Sequence, residues 1–566
     1  MTLDRSNGPN KGRSQKIVSA ARKLRITGLE LSMEQEDSEL PRIAAEKLGV
    51  SRESVSALRM VRKSIDLRGR NRGRDPRWVV HADVVLPASV RSKKLDRLLR
   101  SGKVRETPAA ASLAVWDLHY DFRPEPARKA VVVGSGPGGM FAALTLALAG
   151  LEVRVLERGA AIEERSKGLA GFHNTRKVQT ESNLLFGEGG AGTYSDGKLY
   201  TRVVDPLEVC VLQELVDAGA REDIMWDARA HIGTDRLHVV LPALRRRLQE
   251  LGVEFLWNTR FESLVKDDSK PGMIKAVATS AGEIECDALI IAIGHSAEDT
   301  WKVLHDQGVH FVAKAFQLGV RIEHPQELIN EARYGDEALT RKLGAASYNL
   351  VQKAQGEASG AHSFCMCPGG KIVASINSDG MLCTNGMSNS THASPWANSA
   401  IVTTYDESHF GAGPFAAVEF RKRLEEAFFE AGGSDFTAPA QSVPDFLAGR
   451  ETSNPGRTSY TFGVAPGRID QLLPANGVLA MRGALERFGD MLSGFTGDAG
   501  LLVGVESRSS GPIRMPRDRD TRLATDFLNL FPVGEGAGYS GGIMSAALDG
   551  VHSAQHLLRQ GIGARG

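Results

Sequence analysis

Apolar residues recur with different periods in different parts of the chain, and these periods predict its secondary structure. Two ranges alternate as strands do, 24–31 and 78–86, and three have helical spacing, 38–49, 51–63 and 92–99. In the first of these helices Ser38 is the predicted cap and Gly49 the predicted stop. Together they predict a small α+β domain over 24–120, after a polar tail at 1–23 that we expect to be disordered.

A strand–helix–strand pattern follows at 130–157. A β-branched run predicts a buried strand, an alanine- and leucine-rich stretch predicts a helix, and 153–156 predicts a second strand. Between strand and helix, Gly134, Gly136 and Gly139 have the G-x-G-x-x-G spacing, with Pro137 opening the helix. The three glycines permit a tight turn, close approach to a pyrophosphate and close helix–strand packing, in that order. The pattern therefore predicts a dinucleotide site.

An acid follows at the end of the second strand. Glu157 has the position of a residue that binds ribose hydroxyls, and its neighbour Arg158 is a further predicted cofactor contact. The loop at 183–199 has too many glycines for a regular element, and its polar residues suit contact with phosphates and a flat polar ring. Its predicted cofactor contacts are Gly189, Gly190, Ala191, Gly192, Thr193, Ser195, Asp196 and Lys198.

Two later strands complete the predicted nucleotide site. The apolar strand at 287–295 ends in Ala292 and Gly294, and typically returns to the nucleotide domain. Near the C-terminus another short strand runs into Gly534 and Glu535, before a closing helix that starts at Gly542 and Ile543. A strand ending in G-E-G-x-G before a helix favours FAD over NAD, because the acid can bind the ribityl chain while the helix start faces the flavin and pyrophosphate.

A second nucleotide fingerprint is not evident. The stretch at 411–416 matches G-x-G-x-x-A, but no buried strand precedes it. The predicted fold class is therefore α/β, with a Rossmann-like FAD-binding domain at 129–308 and 517–566. An inserted α+β substrate domain spans 309–516, and the small α+β domain precedes both.

Composition and charge change this picture little. The 566 residues carry a net charge of +1, and the five cysteines are odd in number and mostly scattered, which argues against a secreted disulfide framework. No apolar run reaches the length of a membrane span, so we expect a cytoplasmic protein without membrane contact. A basic stretch at 59–77 is either an RNA-binding surface or a solvated loop, and the second interpretation is favoured. No metal site is expected.

Several long stretches resemble a known family. In these stretches the chain resembles the uncharacterised FAD-dependent dehydrogenases found across bacteria and in plastids, within the wider group of two-domain FAD oxidoreductases. The stretches that carry the resemblance are 186–199, 292–296, 321–325, 365–370 and 534–539. The resemblance implies FAD and a redox reaction on a small-molecule substrate. It implies no particular substrate.

The candidate catalytic residues are two cysteines and two histidines. Cys365 and Cys367 can act as a thiolate, a dithiol or a tuner of the flavin, or as small core residues. His295 and His324 can donate protons, or serve only in the fold. Four cations can bind an anionic substrate or the N1–C2 edge of the reduced flavin, or can simply be surface charges: Lys198, Arg321, Arg508 and Arg514.

Three functions are consistent with these residues. The first is an FAD-dependent dehydrogenase or reductase that transfers a hydride between flavin N5 and a small organic substrate, with NADH or NADPH among the expected electron donors. The second is a flavin-dependent monooxygenase, which usually has Gly-Asp where this chain has Gly534-Glu535. The third is a flavin-containing redox sensor or RNA-binding protein.

Overall fold

The computed structural model describes residues 21–68, 75–107, 128–201, 203–356 and 359–559. The chain divides into two compact units, Met1–Ser112 with Met225–Ala228, and Leu113–Ile224 with Arg229–Gly566. The predicted tail and most of the basic loop around Arg70, Arg72 and Arg74 lie outside the described residues. The boundaries of the inserted substrate domain stay a prediction.

The first unit, as far as it is described, has a β-α-β-β-α-β order. Its elements are β1 (Ala21–Ser32), α1 (Leu40–Leu48), β2 (Ala57–Asp66), β3 (Arg77–Pro87), α2 (Lys93–Arg100) and β4 (Val104–Glu106). The strands form an antiparallel sheet in the order β2-β3-β1-β4, which is the ferredoxin-like arrangement. Alternate residues such as Leu24, Ile26, Val80 and Val84 are fully buried, as the period of two predicts.

Two local predictions in this unit are wrong. Range 51–63 is not a helix: a short 3-10 turn at Arg52–Ser54 leads into β2. The apolar residues of this range fit the helical period as well as the period of a strand. Pairing with β3 favours the strand, because it lets Leu58 and Met60 pack on the core. Ser38 is not a helix cap, because it lies inside the 3-10 turn Asp37–Glu39 that precedes α1. Gly49 does end α1, in the left-handed conformation.

The basic stretch is largely matched by acids where it is described. Its cations form ion pairs within the unit, namely Arg59–Asp83, Lys63–Asp37, Arg68–Asp66 and Arg77–Glu30. Such pairs contribute little to stability, yet they cancel the positive field on which phosphate binding depends. The loop lies largely outside the described residues, so the solvated-loop interpretation stays a prediction.

The second unit contains two main sheets, and its elements are numbered onward. Its strands are β5 (Lys129–Val133), β6 (Glu152–Leu156), β7 (Glu254–Leu256), β8 (Phe261–Lys266), β9 (Ile274–Thr279), β10 (Gly282–Glu285), β11 (Ala288–Ile291), β12 (Val312–Ala313), β13 (Phe316–Pro325), β14 (Val351–Gln352), β15 (Ala361–Cys367), β16 (Gly370–Ala374), β17 (Thr384–Ser388), β18 (Trp396–Tyr405), β19 (Ala438–Ser442), β20 (Val464–Pro466), β21 (Leu501–Glu506), β22 (Ile513–Arg514) and β23 (Leu530–Pro532).

The helices of this unit include the two that the sequence predicts after the first glycine turn and near the C-terminus. They are α3 (Pro137–Leu148), α4 (Ile162–Thr175), α5 (Glu208–Asp217), α6 (Thr234–Glu250), α7 (Glu298–Asp306), α8 (Gln326–Tyr334), α9 (Glu337–Leu343), α10 (Glu407–Phe410), α11 (Ala416–Ala431), α12 (Val443–Ala448), α13 (Ile469–Leu472), α14 (Ala475–Met491) and α15 (Ile543–Arg559). Over the described residues, no helix is long and apolar enough to cross a membrane.

The nucleotide sheet is parallel, as the sequence predicts. Its strand order is β23-β11-β5-β6-β7, so β11 lies between the first nucleotide strand, β5, and the C-terminal strand, β23. The carboxyl ends of β5, β11 and β23 therefore meet at one edge. This is where open α/β sheets bind their ligands.

The second sheet has the order β14-β15-β18-β13-β21-β19-β20. Along β13, Gln317 and Arg321 share one face, while His324 is on the other and packs against Phe495. The pairing of β15 with β18 shifts register between Phe364 and Cys367. At this bulge Cys365 has a φ of 44°, a conformation that a residue with a side chain seldom adopts.

Candidate flavin site

A single cavity of about 810 Å³ runs through the second unit. At one end it is lined by the glycine turn after β5 and by the start of α15, and at the other end by strands of the second sheet. Such a volume falls within the range of ligand pockets. The predicted cofactor residues on its wall are Gly134, Gly136, Pro137, Glu157, Arg158, Gly190, Ala191, Gly192, Ser195, Asp196, Lys198, Ala292, Gly294, Gly534, Glu535, Gly542 and Ile543.

Each glycine of the first turn has a different environment. Gly134 has a φ of 105°, and a Cβ there would come within 2.3 Å of the Ala292 carbonyl oxygen. A Cβ on Gly139 would come within 1.9 Å of the Gly134 carbonyl oxygen, so this glycine is needed for packing and does not itself line the cavity. A Cβ on Gly136 would meet no protein atom within 4 Å and would project into free space. This is the cradle that a phosphate needs at a helix start.

The carboxylate of Glu157, which is predicted to bind ribose, already accepts several hydrogen bonds from the protein itself. Its Oε2 accepts hydrogen bonds from the backbone N–H and the hydroxyl of Ser135. Its Oε1 accepts from the backbone N–H groups of Gly159 and Gly187. A carboxylate offers about four lone-pair directions. The visible role of Glu157 is therefore to tie the first glycine turn to the loop at 183–199, and ribose binding stays a prediction.

An arginine that the sequence did not single out holds that loop in shape. Arg165 of α4 is fully buried and donates to the carbonyl oxygens of Asn183, Glu188 and Gly190. A Cβ on Gly187 would come within 2.5 Å of its Cδ atom. Position 187 must therefore be glycine to leave room for the Arg165 side chain. The two residues are far apart in the sequence, and only the fold brings them together. Arg158 is held separately, by Glu181 and Asp299, with its guanidinium 4.3 Å from the Phe186 ring centroid.

Two predicted loop contacts do not line the cavity. Gly189 has a φ of 78°, and a Cβ there would collide with Thr193. Thr193 donates its hydroxyl to the Glu188 carbonyl oxygen. Both residues fix the shape of the loop without lining the cavity.

The C-terminal acid fits a flavin ribityl chain. Glu535 lines the cavity, and its Oε1 is buried without a hydrogen-bond partner among the described residues. Burial raises the pKa of Glu535 to about 7, against the opposing effect of Lys314. An unpaired acceptor in a cavity is costly to leave empty and suits a hydroxyl donor.

The cysteines occupy different positions at the far end. Cys365 lines the cavity, whereas the buried Cys367 lies behind it and contacts the Cys365 carbonyl oxygen with its Sγ at 3.3 Å. The thiol of Cys367, together with Lys198 and Arg321, lowers the pKa of Cys365 in spite of its burial. The direction of this shift favours the thiolate form of Cys365, with Cys367 as the neighbouring thiol.

Arg321 stabilises the backbone bulge at Cys365 through a hydrogen bond. It is fully buried, and its Nη2 donates to the Cys365 carbonyl oxygen at 3.1 Å and to Asn398 Oδ1 at 2.7 Å. A Cβ on Gly386 would collide with the guanidinium, so β17 needs glycine there. Arg321 therefore does not reach into the cavity as the predicted anion-binding residue.

Lys198, which is partly exposed, pairs with the buried Asp196 beside Cys365. Lys198 Nζ lies 2.6 Å from Asp196 Oδ2, and Asp196 also contacts Ser388 and His392. Although burial lowers it, the pKa of Lys198 is raised overall by the two thiols and by Asp196. Lys198 stays a cation beside Cys365.

Glu506 is the functional residue that the sequence did not suggest. It lines the same end of the cavity and is 1% exposed, and its Oε2 has no hydrogen-bond partner among the described residues. Its ion-pair partner is Arg321, with Nη1 at 3.5 Å. Burial raises the pKa of Glu506 to about 7. No local motif marks it, because it is simply the last residue of an apolar strand.

The histidines do not behave as predicted proton donors. His324 faces away from the cavity, and its Nε2 donates to the Phe495 carbonyl oxygen at 2.8 Å, a position that gives no support to its predicted catalytic role. His295 does line the cavity, with Nδ1 2.7 Å from Ser296 Oγ. Burial, with Arg421 and Arg508, lowers the pKa of His295 to about 3. It is neutral near pH 7 and carries no proton to donate as a cation.

The residues of the cavity fit FAD. The open cradle at Gly136, the uncapped start of α3 and the orphaned oxygen of Glu535 provide for a pyrophosphate and a ribityl chain. Among the described residues, no group of three or more His, Cys, Asp or Glu is arranged to hold a metal ion. The fold and the site together define an FAD-binding protein of the Rossmann-like class.

Comparisons with known proteins agree with this class. Residues 128–180 match the model for an FAD binding domain, 315–509 match "FAD-dependent protein, C-terminal domain-like", and 23–73 match a domain of unknown function. A protein of Clostridium beijerinckii described only as uncharacterized is 37% identical over 540 residues, 95% of this chain and 99% of the relative. The chain belongs to this family of FAD-dependent proteins, and the resemblance read from the motifs is confirmed.

Solved structures share the fold more distantly. CtdE in complex with FAD is 10% identical, with a TM-score of 0.31 over 76% of this chain and 84% of that chain. The flavin-dependent halogenase CmlS is 14% identical, with a TM-score of 0.36 over 76% of this chain and 58% of that chain. Likeness at this level carries no argument about the reaction.

Proposed function

We propose that the protein is a dehydrogenase or reductase that transfers a hydride between flavin N5 and a small organic substrate. The observation that carries the proposal is the continuity of one cavity. It joins the glycine-lined helix starts at Gly136 and Gly542 to a second, polar end at Cys365 and Glu506. Bound FAD supplies a two-electron acceptor or donor. The polar end then offers a substrate a place beside it.

The chain's own residues prepare that polar end. Arg321 holds the Cys365 bulge, Asp196 fixes the Lys198 ammonium, and Cys367 donates toward the thiolate. Ionisable groups with pKa values moved in opposite directions are typical of acid–base sites. The pKa of Cys365 is lowered and the pKa of Glu506 is raised. Near pH 7 the thiolate of Cys365 can therefore accept a proton and the carboxylic acid of Glu506 can donate one.

Anaerobic reduction of the purified flavoprotein tests this function. The flavin absorbance is followed after mixing with NADH, NADPH, and panels of amines, alcohols and saturated carbonyl compounds, and the reduced protein is then mixed with electron acceptors. Catalytic reduction by one class, followed by reoxidation by a non-oxygen acceptor, is the expected result. Incorporation of oxygen into a product would instead assign a monooxygenase. Absence of reduction by every donor and reoxidation by every acceptor would remove the enzymatic proposal.

A further inference from the structure

Two of the five cysteines lie two positions apart in β15, at the polar end of the cavity. Cys365 lines the cavity and is partly exposed, whereas Cys367 is fully buried behind it. The other three, Cys210, Cys286 and Cys383, are buried and do not line the cavity. Of the five cysteines, this pair therefore combines a thiol that a cavity ligand can reach with a second thiol beside it.

The backbone brings the two side chains together. In a regular strand, residues two positions apart have Cα atoms about 6.4–6.8 Å apart, at the upper end of the range that a disulfide spans. The bulge compresses this segment, because the three steps from Phe364 to Cys367 are matched by only two steps along β18. The Cys367 side chain turns back, so that its Sγ lies 3.3 Å from the Cys365 carbonyl oxygen, and the two thiols are in hydrogen-bonding contact. A disulfide can therefore form without rearrangement of the sheet.

One cation contacts both cysteines. Arg321 Nη2 donates to the Cys365 carbonyl oxygen at 3.1 Å and lies 3.7 Å from Cys367 Sγ. In thiol–disulfide exchange one thiolate attacks and another leaves, and a fixed positive charge stabilises both. Lys198 lines the same end of the cavity and adds a second positive charge. The surroundings therefore suit exchange between the two sulfur atoms.

The disulfide that would form is a reactive one. A bond between cysteines two positions apart closes a small ring, and strained disulfides are readily reduced. The flavin motifs at Gly136 and Glu535 line the same cavity as Cys365. A dithiol and a flavin each exchange two electrons, so electrons can pass between them as a pair.

We propose that Cys365 and Cys367 form a second redox centre, which exchanges two electrons with the flavin by opening and closing a disulfide between them. When the bond closes, the Cys365 thiolate and the Cys367 thiol together lose two electrons and one proton, and oxidised FAD takes up all three. When reduced flavin opens the bond, the two electrons and the proton return. A disulfide compound that enters the cavity reacts first with Cys365, and Cys367 then displaces it. The inference rests on the proposed function only in taking FAD as the redox partner.

Reduction of the flavin by light in the anaerobic holoenzyme tests the exchange. The pair is first oxidised with 2-hydroxyethyl disulfide, a small neutral probe that is then removed, and EDTA is the electron donor to the illuminated flavin. Absorbance lost in each short pulse should return in the dark, until about two electrons per FAD have been stored in the pair. Cys365→Ser and Cys367→Ser should stay bleached. Cys210→Ala, which removes a buried thiol of α5, is the control and should recover as the unaltered protein does.

Counting thiols gives a second readout that requires no flavin absorbance and no turnover. Mass spectrometry after alkylation of the denatured protein should find five free thiols in the reduced protein and three after the probe, because two have joined. After the dark recovery the count should return to five. Cys367→Ser should keep the probe as a mixed disulfide on Cys365, because the displacing thiol is missing, whereas Cys365→Ser should keep none. Both counts on the unaltered protein stand even if a variant fails to fold.

Three outcomes would overturn the inference. They are five free thiols after the probe, a probe adduct that persists on Cys365 of the unaltered protein, and a flavin that stays bleached in the dark while the count stays at three. If a small donor reduces the flavin while these tests fail, the proposed function stands and the inference falls. If the pair exchanges electrons with the flavin but no substrate reduces or reoxidises the protein, the proposed function falls instead.

Discussion

The carbonyl oxygen of Cys365 accepts a hydrogen bond from the fully buried guanidinium of Arg321, at 3.1 Å from Nη2. The bond lies at a bulge where Cys365 has a φ of 44°. A strained residue of this kind persists only when its surroundings hold it, and such residues cluster at functional sites. One arginine thus fixes the backbone and favours the thiolate of the same residue.

Cys365 is expected to be the most reactive cysteine of the protein. The pKa of Cys286 is raised by burial to about 12 and that of Cys383 to about 11, whereas that of Cys365 is lowered. Iodoacetamide should therefore alkylate Cys365 first, at a rate that changes little between about pH 7 and 9 because the thiolate is already formed. Mass spectrometry of peptides measures this.

Arg321→Lys tests the origin of that reactivity. Loss of the planar, multiple hydrogen-bonding group should raise the pKa of Cys365, so that the alkylation rate becomes pH-dependent in the same range. Arg423→Lys, on the exposed face of α11, is the control and should leave the profile unchanged. A flat profile in Arg321→Lys would show that Lys198 and Cys367 suffice.

Gly136 and Gly139 should differ sharply when each is replaced by alanine. A Cβ at Gly136 meets open space, so Gly136→Ala should fold normally but lose FAD affinity, about 10-fold or more, because the methyl group fills the phosphate cradle. A Cβ at Gly139 meets the Gly134 carbonyl oxygen at 1.9 Å, so Gly139→Ala should lower the stability of the apo-protein as well. Thermal unfolding of the apo-protein and FAD titration separate the two effects. Equal loss of apo-stability would contradict the assignment.

The flavin half of the site could be predicted from sequence because its chemistry is local. A pyrophosphate at a helix start requires glycines close together in the chain, and Gly134, Gly136 and Gly139 lie within a segment of six residues. The C-terminal acid could be found for the same reason, since Glu535 lies between a short strand and a helix.

The substrate half could not be predicted in this way. Arg321, Cys365 and Glu506 come from β13, β15 and β21, and they meet only because of the strand order and the face that each residue occupies. The same alternation explains why His324 does not lie beside Arg321 at the cavity: it is in the same short motif but three positions further, and therefore on the opposite face of the sheet.

Glu535→Gln should change the pH dependence of apo-protein stability. The pKa of Glu535 in the folded protein, about 7, lies above its ordinary value of 4.5. The unfolded chain therefore loses this proton first, and the contribution of Glu535 to stability falls as the pH rises from about 4.5 to 7. The variant should match the unaltered protein at low pH and have the higher melting temperature above pH 7.

The pKa of Glu506 is also raised to about 7, so the Glu535→Gln variant should retain part of this pH dependence. The double variant Glu535→Gln, Glu506→Gln should remove more of it. Glu327→Gln, on the surface, should follow the unaltered protein throughout. Identical curves for all variants would show that neither acid is desolvated in the folded state.

His324→Gln should lower stability without changing flavin chemistry. The imidazole is fully buried and donates to the Phe495 carbonyl oxygen, so its loss costs about 1–3 kcal/mol if the carbonyl is left unsatisfied. Burial lowers the pKa of His324 to about 4, below the ordinary 6.5, so its contribution is present above about pH 6.5 and is lost as the pH falls toward 4. The difference in melting temperature between the unaltered protein and the variant should therefore shrink in acid. The rate of flavin reduction by any active donor should stay within about twofold, a change worth less than half a kcal/mol. A large fall in that rate with the fold intact would return His324 to the catalytic residues and contradict its position on the far face of the sheet.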